Sequence, residues 1–135
     1  MAIIKAELNR YRQAPRKVRL LADLVKGKSI EKAVAEITFS GKRAADPLKK
    51  LINSAVANAT HNYKISPESL YVKNITVDGG QVMKRGMPRA FGRSFLIKKR
   101  TSKISVELGV REEKAVKKEA PAKKNVVKKK VISKK

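Results

Sequence analysis

Cysteine and tryptophan are absent from this chain of 135 residues, and histidine occurs once, as His61. Without a thiol there is no disulfide, no thiolate zinc site and no cysteine nucleophile. A lone histidine leaves little for metal ligation or acid–base catalysis, and His61 reads as a loop or helix-end residue without chemistry. Acids are scarce as well, 11 Asp and Glu against 34 Lys and Arg, a net charge of +23. Of these acids, Asp23, Glu31, Glu36 and Asp46 are isolated from one another. Glu31 and Glu36 are five apart, a spacing that does not put them together on a helix face. No G-x-x-x-x-G-K-[ST] phosphate loop occurs, and Gly79-Gly80 alone is weak evidence for one. No enzyme, cofactor or metal is therefore expected. No apolar run approaches the ~18 residues of a membrane span, and Met1 to Arg10 has no signal-peptide-like stretch. A strong basic amphipathic helix with bulky aromatics is missing too, so no membrane partner is expected.

What the chain does have is unevenly spread positive charge, which bears on partners more than on fold. Residues 21–78 are nearly balanced. Between Gly79 and Val106, by contrast, lie Lys84, Arg85, Arg89, Arg93, Lys98, Lys99, Arg100 and Lys103 and no acid at all. The last stretch, Arg111 to Lys135, is dominated by Lys, Val, Ala and Glu, with Pro121 and no aromatic. Such a composition cannot bury enough apolar surface to offset the entropy of ordering. The expected organisation is one globular domain over 1–110, including an extended hairpin at 78–102, and a Lys-rich disordered tail over 111–135. That tail is either a solubilising appendage or a loose phosphate binder.

Hydrophobic spacing divides the domain. Ile4, Ala6 and Leu8 alternate with Lys5 and Glu7 as in a half-buried strand. Pro15 opens a helical pattern of Val18, Leu21, Ala22 and Val25, closed by Gly27. Ser29 is placed to cap a second helix with Ile30, Ala33, Val34 and Ile37 on its face. After Gly41 a third helix carries Leu48, Leu51, Ile52, Ala55, Val56 and Ala59, starting early with Pro47 distorting its first turn. Past Ser66-Pro67 the period becomes two, with strands at Leu70–Val77 and Lys103–Leu108. Tyr63 and Tyr71 read as core-edge packing. The expected fold is α+β: three helices packed on a small three-stranded antiparallel sheet with a long protruding β-hairpin.

The 25 residues from Asp78 to Ser102 are far longer than an ordinary hairpin loop. Charge on every face argues against a core segment, while Val82, Met83, Phe91, Phe95, Leu96 and Ile97 argue against a plain linker. The pattern suits an arm ordered by a polyanion. Arg and Lys neutralise phosphates, glycines allow close backbone approach, and Phe or Arg planes can stack on unpaired bases. Continued as a β-ribbon, each limb adds ~10–12 residues and a reach of roughly 35 Å, with Gly86-Met87-Pro88 as a turn near the tip. A free ribbon of that length is marginal in water.

Several motifs match one family in order and spacing. They are Val77-Asp78-Gly79-Gly80, Met83-Lys84-Arg85, Met87-Pro88-Arg89-Ala90, Gly92-Arg93 and Lys99-Arg100-Thr101-Ser102, with Lys17-Val18-Arg19-Leu20, Ala22-Asp23-Leu24, Gly27-Lys28, Lys42-Arg43-Ala44-Ala45 and Ser54-Ala55-Val56-Ala57-Asn58-Ala59 upstream. From about residue 5 to 108 the chain resembles the bacterial large-subunit ribosomal protein twenty-two family. It departs from that family at Gly79-Gly80-Gln81, which lacks the usual acid and proline, at Lys103, where histidine is frequent, and in the Lys-rich tail. The resemblance implies a structural constituent of the large ribosomal subunit, cytoplasmic and ribosome-bound, of bacterial or organellar type. It implies binding to 23S ribosomal RNA, contact with several RNA domains early in assembly, and a globular part near the polypeptide exit. It further implies that Met83, Lys84, Arg85, Gly86, Met87, Pro88, Arg89 and Ala90 lie at the exit-tunnel wall. There the nascent chain passes and large-subunit protein four is a neighbour. Lys98, Lys99, Arg100, Thr101 and Ser102 would hold RNA on the returning limb.

With Lys103, Arg93, Arg16, Lys17 and Arg19 added, these cations make up the expected RNA-binding set. Lys42, Arg43, Lys49 and Lys50 read equally well as solvated helix positions. Met83 and Met87 read either as flexible fillers against RNA or as tunnel-facing side chains, and Phe91 and Phe95 should find an RNA or protein surface. A competing reading is an architectural, histone-like DNA-binding protein with its arm in a minor groove. The asymmetric chain shows no dimer seam, which counts against that reading, and no homo-oligomer is expected.

Overall fold

A computed structural model describes residues 4–111. The tail expected over 111–135 lies outside the described residues apart from Arg111. The elements run β1 (Ile4–Tyr11), α1 (Pro15–Val25), α2 (Ile30–Phe39), α3 (Ala45–Tyr63), β2 (Leu70–Pro88) and β3 (Ser94–Val110), with single 3-10 turns at Pro67–Ser69 and Ala90–Gly92. The strands form one antiparallel sheet in the order β1-β3-β2, with the three helices packed on it. The α+β expectation and the long hairpin are both observed.

The helices follow from the sequence pattern. α1 begins on Pro15, whose missing N–H falls among the donors a first turn leaves unbonded, and buries Val18, Leu21, Ala22 and Val25. Gly27 then takes φ 79°, which its lack of a Cβ permits. The link from α1 to α2 is sewn to the edge of β2: the Gly27 N–H donates to the Val72 carbonyl at 2.8 Å, and the Val72 N–H to the Lys28 carbonyl at 2.9 Å. Ser29 occupies the N-cap position of α2, but its hydroxyl makes no capping bond; its backbone instead bridges to Tyr71. α3 starts early, at Ala45, as expected, with Asp46 already inside its first turn. Pro47 falls where an N–H has no partner anyway, and the Leu48 N–H reaches the Ala44 carbonyl at 3.2 Å, so the first turn is kept. The helix ends at Lys64 in the left-handed conformation, two residues beyond Asn62.

Alternation on the strands places Ile4 and Ala6 of β1, Val72, Ile75 and Val77 of β2, and Ile104, Val106 and Leu108 of β3 against the helices. The core is completed by Leu21, Ile37, Leu48 and Ile52, none more than 1% exposed. The opposite, solvent-facing side of the sheet is laced by cross-strand ion pairs, Lys5–Glu107 at 2.8 Å and Glu7–Lys103 at 3.1 Å. Beyond the pair Tyr11–Ser102, β1 stops and only β2 and β3 continue. That point is the base of the arm.

Candidate nucleic-acid interface

Two irregularities flank the arm's base. In β1 the register shifts between Leu8 and Tyr11, where Arg10 takes φ 56°. In β2 it shifts between Gly79 and Val82, so that Gly80 and Gln81 face the single residue Thr101. Each is a bulge, one extra residue that twists its strand and re-aims the residues beyond it. Between them Thr101 and Ser102 are the buried polar residues of β3, 5% and 0% exposed. The Thr101 hydroxyl donates to the Gln81 carbonyl and the Ser102 hydroxyl to the Gln13 carbonyl, both at 2.7 Å. The two hydroxyls expected on the RNA surface are thus spent inside the chain, holding the bulged backbone at Gln81 and the chain at Gln13 just past β1. A Cβ at Gly80 would lie 2.6 Å from the Thr101 hydroxyl oxygen, so this packing requires glycine.

Above the base the ribbon is regular. Val82 pairs with Arg100, Met83 with Lys99, Lys84 with Lys98, Arg85 with Ile97, Gly86 with Leu96, Met87 with Phe95 and Pro88 with Ser94. The turn itself is Arg89–Arg93, so Gly86-Met87-Pro88, expected as a turn, are strand residues just short of it. Side chains directly opposite one another share a face. One face therefore carries Met83, Arg85, Met87, Phe95, Ile97 and Lys99, and the other sets Lys84 directly against Lys98. Like charges so placed repel, and no acid on the arm relieves them. Almost the whole ribbon is exposed, Ile97 alone being half-buried.

Where the ribbon leaves the body, the two together line a cleft of about 860 Å³. Its lining brings Arg12, Lys17 and Arg43 of the body, with Gln13 and Ala14, beside Met83, Arg85, Lys98, Lys99 and Arg100 of the arm. Seven cations converge and no carboxylate lines the cleft with them, an arrangement that suits a phosphate backbone. Tyr11 braces the body side: its hydroxyl donates to Gln13 Oε1 at 2.9 Å or to the Arg43 carbonyl at 3.2 Å. Burial pushes its pKa above the ordinary phenol value, the nearby Arg43 pulls the other way, and Asp46 adds to the rise.

The sequence-predicted cations are not all equivalent. Lys17, Arg85, Lys98, Lys99 and Arg100 share the cleft, and Arg89 and Arg93 flank the tip. Arg16 and Lys84 are exposed outside the cleft. The Arg19 guanidinium is held by the body, donating from Nε at 3.1 Å and Nη2 at 2.9 Å to the Val77 carbonyl. Lys103 is ion-paired with Glu7 on the outer sheet face. Arg12 is a cleft residue that the sequence pattern does not single out, and Arg43, left open, joins it. Their positions, thirty-one apart in sequence and far from the arm, carry no local signal that they meet.

A sequence model of the ribosomal protein L22p/L17e family matches residues 6–109. The chain belongs to this family. It is 51% identical over 102 residues to the large ribosomal subunit protein uL22 of Herpetosiphon aurantiacus, covering 76% of this chain and 90% of that one. To the protein of the same name from Bdellovibrio bacteriovorus it is 50% identical over 105 residues, 78% of this chain and 96% of the relative. The corresponding figures for a Desulfitobacterium hafniense relative, again named uL22, are 49%, 76% and 90%. The matched span of the L22p/L17e family takes in most of β1, the helices and both limbs of the arm. Membership of a ribosomal protein family agrees with the expectation that the chain is not an enzyme. Among the described residues, no helix is long and apolar enough to cross a membrane.

Proposed function

We propose that the chain is a structural constituent of the large ribosomal subunit, and that its arm and basic cleft lie against ribosomal RNA. The observation that carries this reading is the arm itself: two limbs exposed along their length, with Lys84 set against Lys98 and no acid from Gly79 to Val106. A free ribbon of this kind is marginal by geometry and is further strained by its charge. Packed among phosphates, the same cations become its stabilisation.

In this reading Arg12, Lys17, Arg43, Arg85, Lys98, Lys99 and Arg100 take one RNA backbone segment in the cleft. Arg16, Lys84, Arg89 and Arg93 take others. Recognition is then mainly of RNA shape and phosphate, with few base-edge contacts. Residues 1–110 act as one unit with the hairpin 78–102 projecting from it, and 111–135 as a separate basic tail. Family resemblance supports the finer placement. The RNA is 23S ribosomal RNA, several of its domains are bridged early in assembly, and the globular part lies near the polypeptide exit. The segment from Met83 to Ala90 lines the tunnel beside protein four, where the nascent chain passes. The protein is then ribosome-bound in the cytoplasm of a bacterial-type system.

The test is co-sedimentation of the chain with large subunits after a high-salt wash, paired with competition between structured ribosomal RNA and duplex DNA at about 150 mM salt. Retention on the subunit and preference for the ribosomal RNA are expected. Loss in the wash, or preference for duplex DNA, would overturn the proposal in favour of an architectural DNA-binding role.

A further inference from the structure

At the far end of the arm, the Arg89 N–H donates to the Arg93 carbonyl at 2.8 Å and the Arg93 N–H to the Ala90 carbonyl at 3.4 Å, closing a tight turn. Inside it Phe91 has φ 58° and ψ 33°. A left-handed backbone is disfavoured for any residue with a Cβ and is rare for a bulky one. Gly92, next to it, has φ 67° at no such cost. The aromatic thus occupies a strained position, and its ring gains nothing from its own chain there, being 97% exposed. An arginine stands on each side of the turn, and the nearest acids in sequence, Asp78 and Glu107, belong to the core end of the strands.

We propose that Phe91 is a stacking platform for an unpaired RNA base, with Arg89 and Arg93 holding the phosphates on either side. The proposal rests on the RNA reading above and deepens it, adding one defined base contact to an interface otherwise made to backbone. Charge and shape together select the partner. An apolar protein surface would cover the ring but leave two guanidiniums unmatched. A duplex would match the guanidiniums but hide its base faces. An unpaired nucleotide offers both a flat π-surface and a phosphate, and stacking on an aromatic is tolerant of base identity.

Because the chain has no tryptophan, Phe91→Trp installs a single indole at the tip. The full chain is titrated with large-subunit ribosomal RNA. Quenching of the indole on binding is expected, as is a loss of affinity for Phe91→Ala of roughly five- to a hundredfold. Phe91→Leu, which keeps the apolar bulk but not the π-face, should lose as much as alanine, and Phe91→Tyr should bind like the parent. The salt slope should be unchanged in all four, since no cation is removed. The exposed position leaves the fold untouched, which equal melting temperatures check. Parent-like binding by Phe91→Ala, full recovery by Phe91→Leu, or an unquenched indole would overturn stacking while leaving the RNA reading in place. Failure of the parent itself to bind would sink both.

Discussion

The Thr101 hydroxyl donates a 2.7 Å hydrogen bond to the Gln81 carbonyl, tying the returning limb of the arm to the bulged residue of the outgoing one. One position along, the Ser102 hydroxyl does the same for Gln13, just past the end of β1. Two small buried side chains therefore hold the place where a three-stranded sheet narrows to two strands. Their hydrogen bonds fix the direction in which a charged ribbon leaves the body.

Gly80 and Thr101 should be energetically coupled. A Cβ at position 80 would meet the Thr101 oxygen at 2.6 Å, so Gly80→Ala should destabilise the fold by ~1–3 kcal/mol through overpacking. Thr101→Ala should cost about 1 kcal/mol for the lost hydrogen bond. Because the second change removes the obstructing oxygen, the double variant should cost clearly less than the sum. Chemical denaturation of the three variants measures this, and strict additivity would contradict the packing described here.

Removing Met83-Lys84-Arg85 should leave the domain folded, since these residues are exposed and contribute nothing to the core. The melting temperature of the free protein should shift by no more than a few degrees, whereas Ile104→Ala in the core should cost about 2–5 kcal/mol. A deletion as damaging as the core substitution would mean that the arm supports the fold.

Alkaline pH should weaken the fold partly through Tyr11. Its pKa is raised by burial, so its contribution is present below the ordinary phenol value of about 10 and is lost as pH climbs through the raised one. Lys5, raised by its hydrogen bond to Glu107, acts in the same direction. Glu107, lowered by Lys5, contributes above the ordinary carboxyl value and loses its contribution as pH falls through its own. Tyr11→Phe should therefore be less stable near neutrality, having lost its hydrogen bonds, yet fall less steeply above about pH 10 than the parent. Denaturation midpoints across that range decide it; identical slopes would show that Tyr11 does not titrate as a buried group.

Where one face of an element is buried, the sequence is easy to read. Val18, Leu21, Ala22 and Val25 mark α1, and Ile104, Val106 and Leu108 mark the core half of β3. The distal halves of β2 and β3 bury no side chain fully, so no buried period of two marks them. Local chemistry misplaces the turn for a related reason. Gly86-Met87-Pro88 has turn character, but the register set by Val77 against Ile104, stepped by one residue at the Gly80-Gln81 bulge, centres the hairpin on Phe91. Pairing in the core outweighs local propensity. The family resemblance puts Thr101 and Ser102 on the RNA surface; Ser102 instead falls in step with Ile104, Val106 and Leu108 on the core face, and Thr101, on the other face, is covered at the β2 bulge, which is invisible in sequence. Arg12 and Arg43 reach the cleft through tertiary packing alone.

The central claim, that the arm's returning limb lies along RNA phosphates, is tested most directly by salt dependence. Affinity for large-subunit ribosomal RNA is measured across salt concentrations for the parent and for the triple variant Lys98→Ala, Lys99→Ala, Arg100→Ala. The plot of log affinity against log salt should be shallower for the variant by up to about three phosphate contacts, with its melting temperature unchanged. A slope identical to the parent's would remove these cations from the RNA surface and contradict the account.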